Sequence, residues 1–196
     1  MTLLIVGLVI FLGMHSFSMA RARRAALIGR IGEGPYKGLY SIMSLLGIVL
    51  IAIGFGQYRA NGYIPVWDPP VWTRHLALLL VWLAFICLAA AYLPGRIKAR
   101  LKHPMLAGVK IWALAHLLAN GDLGSILLFG SILGWAVLAR ISAKRRDVAA
   151  QHGGTAAPAG WRNDLLAVAI GTIAYAAFAF WLHPWLIGVP VLPVRA

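Results

Sequence analysis

The chain is a succession of apolar runs joined by short, basic connections. A run of about 20 apolar residues is long enough to cross the hydrocarbon layer as a helix. Inside that layer the backbone must satisfy its own hydrogen bonds, which leaves helices as the spanning elements here. The fold class that follows is all-α, a polytopic transmembrane bundle. Spans are expected at about 2–20, 38–56, 75–93, 105–119, 123–140 and 165–187, within a single transmembrane domain covering 1–196. The fourth and fifth are short and only Asn120-Gly121-Asp122 separates them, so they read as a central helical hairpin. Charged residues make up 12% of the sequence, about half the share found in soluble domains.

The net charge of +13 does not point to nucleic acid. A nucleic-acid-binding chain concentrates its basic residues on one face of a soluble fold. Here they follow the first, third and fifth spans: Arg21, Arg23, Arg24, Arg30 and Lys37, then Arg96, Lys98, Arg100 and Lys102, then Arg140, Lys144, Arg145, Arg146 and Arg162. The positive-inside rule makes that side cytoplasmic and sets both termini outside. The N-terminal run lacks a basic segment ahead of it, so it is expected to be a retained first helix and not a cleaved signal peptide. Segment 57–75, with Tyr58, Tyr63, Trp67 and Trp72, is expected to be an external loop with an interfacial aromatic belt. Residues 147–161, with His152, Gly153, Gly154 and Pro158, read as a cytoplasmic loop. Gly130 and Gly134 form a GxxxG pair, expected to mark close helix packing. The lone Cys87 excludes an internal disulfide.

The segment HPMLAGVKIWALAHLLANGD, residues 103–122, departs from this apolar pattern. It keeps His103, Lys110, His116, Asn120 and Asp122. Ionisable groups inside a membrane are functional candidates by default. Asn120, Gly121 and Asp122 first of all make a turn, and Asp122 can cap the helix that follows. His103-Pro104 suits the start of a helix. His116 lies within span four, and His15 lies within span one. The bland role for each is an interhelical hydrogen bond. The sharper one is as an axial ligand of a shared haem iron, for which two nitrogens must lie roughly 4 Å apart. His15 lies about six residues from the cytoplasmic edge and His116 about twelve, or roughly 9 Å and 18 Å, so a shared iron needs helix tilt. His103 is the competing second ligand. Trp112 shares the helical face of His116, and Lys110 is positioned to meet a propionate or to reach the interface. Gly7, Gly13 and Gly108 could relieve crowding beside a haem.

Two stretches carry a resemblance. His103-Pro104-Met105-Leu106-x-Gly108 followed by Trp112-Ala113-x-Ala115-His116-Leu117-Leu118-Ala119-Asn120-Gly121-Asp122, together with the N-terminal LGMHSFSMARARR, resembles the NnrU family over nearly the whole chain. That resemblance implies a multi-pass protein of the bacterial inner membrane, linked to denitrification and nitric oxide metabolism. A relative of the family, the plastid 15-cis-zeta-carotene isomerase, uses haem b. By its motif the axial ligands here are His15 and His116. The isomerase-type block carries a cysteine three residues before the second histidine, where this chain has Ala113, which puts isomerase activity in doubt. Lys102-His103-Pro104 also resembles a motif of isoprenylcysteine-type methyltransferases. The glutamate-rich segment those enzymes need is replaced by RISAKRRDVAAQHGG.

The resulting expectation is a haem b protein in contact with membrane lipid. Haem, an apolar small molecule or nitric oxide would be its partners. His15 and His116 are the metal ligands, and His103, Lys110 and Trp112 line the cofactor. A polyene isomerase and a non-enzymatic assembly factor are the other readings. Sequence leaves open whether the protein is an enzyme and which protein partner it has.

Overall fold

The computed structural model describes residues 1–149 and 160–191, and these are helical apart from short connections. The helices are α1 (Thr2–Phe17), α2 (Arg21–Ile31), α3 (Glu33–Ala60), α4 (Val71–Tyr92), α5 (Arg96–Leu101), α6 (Pro104–Ala119), α7 (Leu123–Ala149), α8 (Trp161–Ala177) and α9 (His183–Ile187). A π-helical turn, Phe178–Leu182, joins α8 to α9 without a break. Each expected span therefore has its helix. His152, Gly153, Gly154, Pro158 and Arg195 lie outside the described residues.

Helices α3, α4, α7 and the continuous segment Trp161–Ile187 are long and apolar enough to cross a bilayer. α1 and α6 have 16 residues each, about 24 Å of helix, less than a full hydrocarbon layer. The connection after α1 is helical where the sequence reading has only a basic loop. Arg and Ala are good helix formers, and α2 carries both. α2 is bent by 89° from α1, so it cannot extend that span and turns across the end of the bundle. The same propensity lets α7 run past the expected end at 140 into Ala143, Lys144, Arg145 and Arg146.

The spanning helices pack side by side in the order α3, α1, α7, α6, α4, α8. The basic segments gather at one end of this row. There His103 Nε2 lies 2.9 Å from Asp147 Oδ2, tying α6 to α7. Ile97 N–H donates to Asp164 Oδ1 at 3.0 Å, and Asn163 Nδ2 donates to Pro94 O at 2.8 Å. These two bonds hold the start of α8 against the α4–α5 connection. At the opposite end, Leu123 N–H donates to Ile64 O (2.9 Å) and Val66 N–H to Gly121 O (2.8 Å). The loop before α4 is thus stitched to the α6–α7 turn. Tyr58 belongs to this stitch and not to the aromatic belt. It is buried, and its hydroxyl accepts a 2.9 Å bond from Ile64 N–H. Tyr63, Trp67 and Trp72 are exposed, as a belt requires.

Close helix packing falls elsewhere than the GxxxG pair. A Cβ on Gly130 or Gly134 would meet nothing within 4 Å, so that pair faces open space. The tight seam lies between α1 and α3. A Cβ on Gly7 would come within 2.6 Å of Ile51 N, and one on Gly47 within 2.8 Å of the Phe11 Cβ. A Cβ on Gly54 would collide with the backbone at Leu4. Lipid tails provide no hydrophobic drive between helices, so this backbone-to-backbone contact is what joins the pair. Gly7 therefore serves the α1–α3 seam, Gly108 faces Ala84 O and Cys87 on α4, and Gly13 has open space. Gly54→Leu is expected to destabilise the protein by about 1–3 kcal/mol or more through overpacking. Gly13→Leu should have almost no effect. Thermal melts of both variants in one detergent would compare them, and equal midpoints would contradict the seam.

Candidate functional site

The two intramembrane histidines are built alike. His15 closes the last turn of α1, where its Nδ1 lies 2.8 Å from Phe11 O. His116 occupies the last turn of α6, with Nδ1 2.9 Å from Trp112 O. A carbonyl oxygen only accepts, so each Nδ1 carries the proton and donates it. In the neutral ring Nε2 is then the lone-pair nitrogen. A carbonyl that accepts the Nδ1 proton fixes the tautomer and turns the ring, as it does for imidazoles that bind metals.

Their surroundings differ. His15 packs against Phe11 on its own helix (ring centroids 4.1 Å apart), Tyr40 of α3 (5.3 Å) and the edge of Trp135 of α7 (5.5 Å). It also lines a cavity of about 410 Å³ at the basic end of the bundle, shared with Tyr40, Trp135, Arg21, Arg24 and Arg146. His116 stacks on Phe129 of α7 (4.5 Å, 28° between planes), with Trp112 beside it at 4.9 Å. Trp112 packs in turn on Phe129 at 5.2 Å. The His116 site is therefore an aromatic box between α6 and α7.

Both imidazoles face α7, but at different levels. Trp135 and Phe129 stand six residues apart, about 9 Å along the helix axis. One iron bound by both rings needs nitrogens roughly 4 Å apart. Each donor fits a haem by its chemistry, while the spacing of the pair does not close on one iron in this arrangement.

The other candidates fall outside both places. His103 is engaged by Asp147 at the basic end. Lys110 lies on a smaller apolar groove between α6 and α7 with Ile111, Leu114 and Leu133. Of the five residues assigned to a cofactor by sequence, His116 and Trp112 meet in the aromatic box, and His15, His103 and Lys110 each lie elsewhere. Asp122 caps α7: Oδ1 accepts from Ser125 N–H at 2.9 Å and Oδ2 from the Ser125 hydroxyl at 2.6 Å. Asn120 Nδ2 donates back to His116 O at 2.8 Å and finishes α6. The sequence does not single out Tyr40, Phe129 or Trp135. They read as ordinary apolar positions, and only the packing of α3 and α7 on the histidines selects them.

A family model described as NnrU protein matches residues 3–191. The chain belongs to the NnrU family. The polar block of α6 and its turn, and the histidine that ends α1, both lie inside the matched region. No curated protein matches the chain, and no solved structure does.

Asp122 is the structural member of that block. Asp122→Ala should cost about 1 kcal/mol or somewhat more, because it removes a helix cap and leaves the buried Ser125 hydroxyl without its acceptor. Chemical or thermal unfolding in detergent would read the loss. An unchanged midpoint would show that the cap carries no weight.

Proposed function

We propose that this NnrU family member is a haem b protein of the bacterial cytoplasmic membrane, linked to denitrification and nitric oxide metabolism. Its basic end faces the cytoplasm, as the charge of α2, α5 and the end of α7 favours. The observation that carries the haem reading is the shared build of His15 and His116. Each has its Nδ1 proton committed to the carbonyl four residues earlier, and each keeps Nε2 as a donor toward a metal. Bound haem would supply one-electron exchange, and a gas could bind it only where one histidine gives way.

This chain's residues would do the positioning. His15 is the ligand whose surroundings suit a cofactor best, because it borders a cavity within the size range of cofactor sites. His116 would be the second residue to hold it, provided the levels marked by Trp135 and Phe129, about 9 Å apart along α7, are brought closer together. The glycine seam makes α1 and α3 one unit, and α7 is where that unit meets the rest of the row. Phe11, Tyr40 and Trp135 around His15, and Trp112 and Phe129 around His116, supply apolar walls that exclude water. A second reading, a non-enzymatic assembly factor, draws on the open face at Gly130 and Gly134, where a partner helix could pack. Co-purification in mild detergent would test it, and a Gly130→Leu, Gly134→Leu variant that retains its partners would remove it.

Absorption spectra of the purified protein, oxidised and dithionite-reduced, with a pyridine haemochrome assay, test the principal reading. A stoichiometric b-type signal with sharp reduced bands is expected. His15→Ala should lose the haem. His116→Ala should keep it but lose the low-spin bands. A wild-type protein that takes up no haem on reconstitution would sink the proposal, and His116→Ala with an unaltered spectrum would remove His116 as a ligand.

A further inference from the structure

The cavity at the basic end has a second chemical character that the haem reading does not use. Arg21 and Arg24 reach it from the first turns of α2, and Arg146 reaches it from α7. Among the described residues the ion pairs are Glu33 with Lys37 and His103 with Asp147, so none of these three guanidinium groups has a carboxylate in direct contact, although Glu33 is near enough to feel the charge of Arg24. Arg24 lies over the Tyr36 ring at 5.3 Å, and Arg146 donates to the Ser142 hydroxyl at 2.9 Å. Both contacts hold a side chain in place without neutralising it. The amino end of α2 adds its partial positive charge on the same side. Trp135 lines the cavity, and its Nε1–H is buried with no acceptor.

Three guanidinium groups at the rim of one cavity with no carboxylate in direct contact, and an unused N–H donor on a residue of its wall, call for an acidic group with several acceptor oxygens. The body that carries it must be apolar. Below the arginines the walls are Tyr40, Trp135 and Leu106, and the 89° turn from α1 to α2 sets the rim where a bilayer surface would lie. A helix that lies across the end of a bundle with Arg21, Arg23, Arg24 and Arg30 on it is built to meet anionic headgroups.

We propose that this cavity binds the doubly charged phosphate head of a membrane lipid, held by Arg21, Arg24 and Arg146, with its apolar part against Tyr40, Leu106 and Trp135. The ligand class is a phosphomonoester or diphosphate lipid of the leaflet that faces the basic end. The inference rests on the arginines and the rim and not on iron ligation, and because Tyr40 and Trp135 also wall His15, lipid and haem would compete for this one cavity.

The test uses the purified full chain in detergent micelles, with phosphatidic acid as the probe, phosphatidylcholine as the control and native mass spectrometry as the readout. Phosphatidic acid should be retained preferentially. Replacing all three arginines, R21Q/R24Q/R146Q, should weaken its binding about tenfold, while R21K/R24K/R146K should keep most of it. Added salt should weaken binding as well, because the rim is exposed. Equal retention of the two lipids, or retention unchanged in the glutamine variant, overturns the proposal. Inorganic phosphate that displaces the lipid at equal concentration assigns the site to a soluble anion and overturns the lipid source. Wild-type protein that binds phosphatidic acid but no haem separates this inference from the previous one and supports it.

Discussion

Hydrocarbon offers no hydrogen-bond partners, and that constraint organises this molecule. Polar side chains placed in the apolar layer find their partners on their own helix or its neighbour, Trp135 Nε1 being an exception. The histidines use the carbonyls four residues back, Asn120 does the same at the end of α6, and Trp82 Nε1 finds the Thr172 hydroxyl across from α8 at 2.9 Å. Such bonds are worth little in net stability, well under 2 kcal/mol in membrane proteins. Their effect is to fix orientation. An imidazole whose Nδ1 is committed presents Nε2 in a set direction, so a modest bond made for solvation reasons fixes where the free lone pair points.

The same absence of hydrophobic drive explains the layout of the row. Helices in lipid join where their backbones can approach, and Gly7, Gly47 and Gly54 allow this for α1 and α3. The other helices are joined through α4 and α6, with Gly108 against Ala84 and Gly171 against the α4 backbone at Ile86. α1 meets α7 between these two groups. His15 belongs to the first group and His116 to the second. Any chemistry that needs both histidines depends on how the two groups register along α7.

Much of the architecture is legible in the sequence because length and apolarity are properties of contiguous residues. The six apolar runs, the α6–α7 hairpin and the capping role of Asp122 come from local patterns. What cannot be read locally is which faces meet. The GxxxG spacing at Gly130 and Gly134 is a local pattern with no neighbour behind it, while the tight seam uses Gly7, Gly47 and Gly54, which form no such motif across two helices. Tyr58 looks like a belt residue by type and position, yet its hydroxyl is recruited to anchor Ile64. The α2 helix is hidden because a dense cluster of arginines reads first as an orientation signal and only second as a helix. The histidines are visible as oddities in an apolar run, but their offset along α7 depends on the register of three helices.

That offset and the arginine rim bear on each other. A cavity with a lone-pair imidazole in its wall and cations at its mouth accepts molecules with an apolar body and an acidic end, and its opening faces the basic end of the bundle. The aromatic box at His116 lies nearer the opposite end, where Ile64, Val66 and Gly121 stitch the loop to the turn. The bundle therefore has a charged entrance at one end and a closed aromatic site toward the other, with α7 running past both. A ligand entering at the arginines would meet His15, which lines the same cavity.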